Sequence, residues 1–163
     1  MHWSDEEAAA WQRAIHPTAR AVASMQPLSD ALHAGGRHGD ALLTLLLPWP
    51  PSNNTYYRHV GHRILLSAAG RTYRRLVGEA CLLQRPQGQL WPFAGRLAVE
   101  LVCRPPDRRV RDLDNLFKAV GDSLQAAGVY HNDSQIDELR LVRSRPTPGG
   151  TLAVTITPRE ATP

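Results

Sequence analysis

From Arg96 to Gly128 the chain reads RLAVELVCRPPDRRVRDLDNLFKAVGDSLQAAG, and this stretch decides the fold. Leu97, Val99, Leu101 and Cys103 alternate with Ala98, Glu100 and Val102, the period of two of a strand, and Pro105-Pro106 ends it. From Leu113 to Ala127 the period changes. Leu116, Val120, Leu124 and Ala127 recur on one face of a helix, and Gly128 supplies its stop. Between the two lies a polar loop carrying most of the charge of the region.

Outward from this unit the pattern repeats. Ala41 to Leu47 reads as a buried strand, followed by Pro48-Trp49-Pro50-Pro51-Ser52-Asn53-Asn54, read as loop. Ser67 is a candidate N-cap for an amphipathic helix to about Gln84, with Tyr73, Leu76, Val77, Ala80 and Cys81 on its apolar side. Downstream, Ile136 to Arg145 and Thr151 to Thr157 alternate as strands, and Pro146-Thr147-Pro148-Gly149-Gly150 reads as a hairpin connection. The order strand, helix, strand, helix, strand, strand predicts an α/β (α+β) fold: a small mixed β-sheet with helices packed on it. Residues 1–40 read as a separate N-terminal extension, partly helical (Ser4 to about His16) or disordered, closing on Gly35-Gly36-Arg37-His38-Gly39. One domain over 41–158 and a tail over 159–163 complete the expected organisation.

Composition narrows the function classes. With 163 residues, 42% hydrophobic and 21% charged, the chain is expected to fold as an ordinary globular protein. Its longest apolar run, Ala41 to Leu47, falls far short of the roughly 20 residues that cross a bilayer. The acidic start Ser4-Asp5-Glu6-Glu7 does not resemble a secretory leader, so a cytoplasmic location is expected. Cys81 and Cys103 read as buried small hydrophobes rather than a disulfide. The net charge of +4 is moderate, but arginines gather around 58–75 and 104–111, including Arg58, Arg108, Arg109 and Arg111. Such clusters suit a phosphate backbone, or form a solvated basic surface.

The chemistry concentrates at Arg111-Asp112-Leu113-Asp114-Asn115-Leu116-Phe117-Lys118. Lys118 is the single lysine among 19 basic residues, and an ammonium is a mobile point charge where a guanidinium is a rigid fork. If the backbone entering the helix is extended, Asp112 and Asp114 point to the same side, an arrangement that a divalent cation stabilises. Asn115 is a candidate cap, and Lys118 lies one helical turn beyond Asp114. Asp133, in the loop after the helix, offers a third carboxylate if the chain doubles back. Magnesium or manganese on these oxygens suits metal-assisted phosphodiester hydrolysis. The bland alternative is a pair of helix N-terminal acids with Lys118 as an i,i+4 partner. Asn53, Asn54, Tyr56 and Tyr57 are candidates for DNA contact or loop anchors. Glu100 and Asp122 read as solvent-facing charges, and His131 as a surface residue.

Taken together, Leu47 to Asn54 with Tyr56-Tyr57-Arg58-His59, Pro106-Asp107-Arg108-Arg109, Arg111 to Asn115 with Lys118, Ala127-Gly128 and Asp133 resemble the RusA family of Holliday junction resolvases. The resemblance covers roughly residues 41–157. It implies a homodimeric, magnesium-dependent endonuclease that binds four-way DNA junctions and nicks two strands symmetrically. By the family's motif Asp112, Asp114 and Asp133 are the catalytic metal-binding acids, Lys118 is the essential lysine, and Arg111 holds a position implicated in DNA contact. Many relatives carry two acids in the loop where this chain has Asn132 and Asp133, and Val110 interrupts the basic run. Two rival readings are a non-catalytic branched-DNA-binding module and a metal-dependent phosphohydrolase acting on other nucleic acids.

Overall fold

The computed structural model describes residues 43–159; the helix expected near the N-terminus and the extension to residue 40 lie outside the described residues. The elements in chain order are β1 (Leu43–Pro48), α1 (Asn53–Tyr56), β2 (Tyr57–Val60), β3 (Arg63–Leu66), α2 (Ala68–Gln84), β4 (Arg96–Arg104), α3 (Asp114–Ala126), β5 (Ile136–Arg143) and β6 (Thr151–Arg159). The expected α/β architecture is present: a mixed four-stranded sheet in the order β1-β6-β4-β5, with β2 and β3 paired as a separate two-stranded ribbon.

The opening stretch folds as its periodicities dictate. β4 buries Leu97, Val99, Leu101 and Cys103 on the helix side and leaves the alternate residues half-exposed. α3 buries Leu116, Val120 and Leu124 against that face, and α2 contributes Tyr73, Val77 and Cys81 to the same core. Ser67 is the N-cap of α2, its hydroxyl accepting from the Gly70 amide at 2.9 Å. Gly70 is required there: a Cβ would lie 2.3 Å from the Tyr56 carbonyl oxygen. Cys81 and Cys103 are free and buried.

Four features depart from the element order expected above. First, β5 and β6 do not form a hairpin. β5 runs parallel to β4, whereas β6 lies antiparallel between β1 and β4. Pro146–Gly150 therefore carries the chain across the end of β4, where Ser144 and Thr147 amides bond to the Cys103 and Pro105 carbonyls at 2.8 Å. The physical reason is burial. Leu152 to Ile156 is buried on both sides, so β6 needs a central position, while the charged β5 suits an edge. Second, Asn53 and Asn54 are not in a loop but open the one-turn helix α1. Third, residues 57–66 form a β-ribbon turning at Gly61-His62, with Gly61 at φ +57°. Fourth, β6 continues through Arg159, where the tail was expected to begin.

Candidate active site at the start of α3

The loop from Pro105 to Leu113 leaves the end of β4 and delivers the chain to α3. Its organiser is Asp107. Arg111 donates to both Asp107 carboxylate oxygens, at 2.6 and 2.9 Å, and the Arg109 amide donates to the same side chain at 2.9 Å. These hydrogen bonds, from Arg111 first and Arg109 second, hold the Asp107 carboxyl well below the usual carboxylate range. The Arg111 guanidinium also lies 6.0 Å from the Trp49 ring centre, and Arg143 donates to the Arg111 carbonyl. Arg111 is thus built into the loop, whereas Arg108 and Arg109 are exposed.

Asp112 and Asp114 flank Leu113, whose backbone is already helical (φ −71°, ψ −35°). The extended-backbone argument for their common direction therefore does not apply. The helix begins one residue before Asn115, which leaves Asn115 inside the first turn rather than at the cap. Its Oδ1 instead accepts from Asn53 Nδ2 at 3.1 Å, tying α1 to the acid run.

Lys118 has a partner that the sequence reading missed. Its Nζ lies 3.6 Å from Asp122 Oδ2, one turn further along α3. Asp122 also accepts a short hydrogen bond from the Tyr57 hydroxyl, and Lys118 stands 5.9 Å from the Tyr57 ring centre. Asp122 is mostly covered, not solvent-facing; its carboxylate and burial push the Tyr57 hydroxyl well above its ordinary pKa, burial being the larger cause. The signal available in the sequence was the i,i+4 spacing of Asp114, Lys118 and Asp122, of which only the first pair was read. Tyr56 is an anchor, fully buried with its hydroxyl 3.1 Å from Ser123 Oγ.

Asp133 lies at the other end of α3. It opens a 3₁₀ turn, Asp133–Gln135, that precedes β5. Asn132 caps the turn by accepting from Ser134 N at 2.8 Å. Gln135 accepts from the amides of His131 and Asn132 and donates to the carbonyls of Phe93 and Gly95. The loop is thereby pinned beside the start of β4. The chain does double back after α3, but into a strand parallel to β4, so it returns to the beginning of β4 rather than to its end. A helix of 13 residues, about 20 Å at ~1.5 Å per residue, separates Asp133 from Asp114. Among the described residues no group of three or more His, Cys, Asp or Glu side chains is gathered closely enough to hold a metal ion.

Pairing nevertheless separates the described aspartates into two sets. Asp107, Asp122 and Asp137 are each engaged by cationic side chains. Asp112, Asp114 and Asp133 are exposed, and among the described residues none of them makes an ion pair or accepts a side-chain hydrogen bond. Un-neutralised carboxylates are hard oxygen donors, and their chemistry fits a divalent cation such as magnesium or manganese. Glu100, also expected to face solvent, is largely covered and paired with Arg140.

Comparison with known proteins bears on this arrangement. The family model described as "Endodeoxyribonuclease RusA" matches residues 48–157. This chain belongs to the RusA family. Proteins named crossover junction endodeoxyribonuclease RusA from Shigella sonnei (strain Ss046) and Escherichia coli (strain K12) are each 43% identical over 118 residues, covering 70% of this chain and 92% of theirs. That of Enterobacteria phage 82 is 43% identical over 115 residues, 69% of this chain and 92% of its own. The matched span holds every element from α1 to β5, and with them the three unpaired aspartates, Lys118 and both of the Tyr57 and Asn53 contacts to α3.

Proposed function

We propose that this chain is a magnesium-dependent, structure-selective DNA endonuclease that resolves four-way junctions by paired, symmetric nicks in recombination and repair. It acts in the cytoplasm as a homodimer, and manganese replaces magnesium. The observation that carries the reading is the set of unpaired carboxylates, Asp112, Asp114 and Asp133, within a span shared with relatives named as crossover junction endodeoxyribonucleases.

The three acids serve one cation only if two chains combine. A four-way junction presents two equivalent strands, so paired nicking calls for two sites related by a two-fold axis. β5 is one of the two outer strands of the sheet, β1 being the other. Antiparallel pairing of its edge with the same strand of a second copy would set the Asp133 end of one chain beside the Arg143 end of the other. There Arg143 holds the Arg111 carbonyl, next to Asp112. Each site would then take Asp112 and Asp114 from one chain and Asp133 from its partner.

When bound, the cation supplies a Lewis acid that polarises a phosphoryl oxygen and acidifies water. Lys118, held by Asp122, offsets the charge that develops on the phosphate in the transition state. Arg108 and Arg109, with Arg58 and Asn54, provide exposed donors for the DNA backbone, while Arg111 and Asn53 brace the loop from which the acids project. The test is Asp114→Asn: cleavage of a four-way junction is abolished while binding persists. Loss of binding in that variant would overturn this division of labour.

A further inference from the structure

The β2–β3 ribbon stands outside the main sheet and is unusual in what it displays. Arg58 pairs with Leu65 and Val60 with Arg63, so one face carries two cations and two aliphatic side chains. His59 and Ile64 share the other face. Val60, Ile64 and Leu65 are 48%, 63% and 41% exposed. A two-stranded ribbon is marginal alone; this one is rooted by Tyr57 and Leu66, which pack on the core, and by the Tyr57–Asp122 hydrogen bond.

We infer that the β2–β3 ribbon enters the branch point of junction DNA, its arginines on phosphates and Val60, Ile64 and Leu65 against bases opened there. Charge selects the occupant: Tyr57–Leu66 holds two arginines and two histidines and no acid, which suits a polyanion. A ribbon of this width fits a DNA groove, and aliphatic wedges are a known means of unstacking base steps. An intact duplex keeps its base faces stacked, whereas a branch point exposes them, so the aliphatics gain area mainly at the branch. The root fixes the distance to the chemistry, because Tyr57 lies under Lys118. The ribbon thereby sets where the cut falls relative to the branch.

This inference rests on the reading of the chain as a junction endonuclease, and the experiment separates the two. Full-length protein in chelator is titrated with a four-way junction carrying 2-aminopurine at the branch, and with a linear duplex of the same sequence. The parent protein prefers the junction and raises the 2-aminopurine fluorescence. Val60→Ser/Ile64→Ser/Leu65→Ser loses that rise and binds the junction about tenfold more weakly, a free-energy change of the size one wedge supplies, with duplex binding nearly unchanged. Arg58→Ala/Arg63→Ala weakens both substrates and lowers the salt slope by about 2. The single variant Ile64→Ser, at the most exposed position, repeats the fluorescence loss in a chain whose core is untouched. A serine variant with parental junction affinity and fluorescence overturns the inference, as does one that changes the oligomeric state, which would make the ribbon a contact between copies. A parent protein with no junction preference would instead sink the functional reading itself.

Discussion

Lys118 and Asp122 stand one turn apart on α3 with Nζ 3.6 Å from Oδ2, and the same carboxylate holds the Tyr57 hydroxyl. Asp122 therefore acts as a positioning residue for the only lysine of the chain. Asp122→Asn keeps an acceptor for Tyr57 but removes the charge. Single-turnover junction cleavage is expected to fall about tenfold, or ~1.4 kcal/mol of barrier, with binding unchanged. In a Lys118→Arg background, itself impaired, the same change adds little. An equal loss in both backgrounds would show that Asp122 acts without Lys118.

The shared site predicts complementation. Asp114→Asn and Asp133→Asn homodimers are each inactive, but in a mixed dimer one of the two sites retains Asp112 and Asp114 from the second chain and Asp133 from the first. Mixing after partial denaturation and refolding should restore nicking of one strand per junction. No recovery in verified heterodimers would return all three acids to a single chain.

Arg111 owes its place to Asp107, and the pairing has a defined pH window. The folded-state pKa of Asp107 is depressed, so its contribution is present above the ordinary carboxylate value, near 4, and disappears only as pH falls towards the lower folded value. The carboxylate signal of Asp107 in a carbon-detected NMR titration should therefore stay ionised at pH 4 and move upward, towards ordinary titration, in Arg111→Ala, with the Arg109 amide still holding part of the depression. A normal midpoint in the parent would break the assignment of Asp107 as loop organiser.

Burial raises the thiols of Cys81 and Cys103 to about 12 and about 11. Both should resist iodoacetamide at pH 8 and react on unfolding, because the thiolate is the nucleophile. Fast labelling of the native chain would contradict their core placement. Leu124, fully buried where α3 meets the core, gives the matching stability check: Leu124→Ala is expected to cost about 2–5 kcal/mol by chemical denaturation.

What was legible in the sequence follows from which forces act locally. β4, α2 and α3 were readable because their apolar periods face one buried surface, and the N-cap at Ser67 because capping is a short-range hydrogen bond. The neighbour of β5 was not, since strand order depends on which strand is buried on both sides; the contrast between the charged β5 and the apolar β6 held that information unread. The ribbon was hidden by its exposed, basic composition, although Gly61-His62 between two β-prone runs marks its turn. The run of acids and Lys118 stood out as chemistry, but their partners did not. Asn53 and Tyr57 reach α3 from 62 and 65 residues away, and Gln135 ties the loop after α3 to Phe93, 42 residues back, which spacing cannot encode.

The most direct measurement is cleavage of a labelled four-way junction beside a linear duplex of identical sequence, with magnesium and with chelator. Expected are paired symmetric nicks in the junction alone, absent in chelator and absent in Asp114→Asn. Binding without cleavage under magnesium would contradict the enzyme reading in favour of a junction-binding module, and equal cutting of both substrates would contradict its structure selectivity.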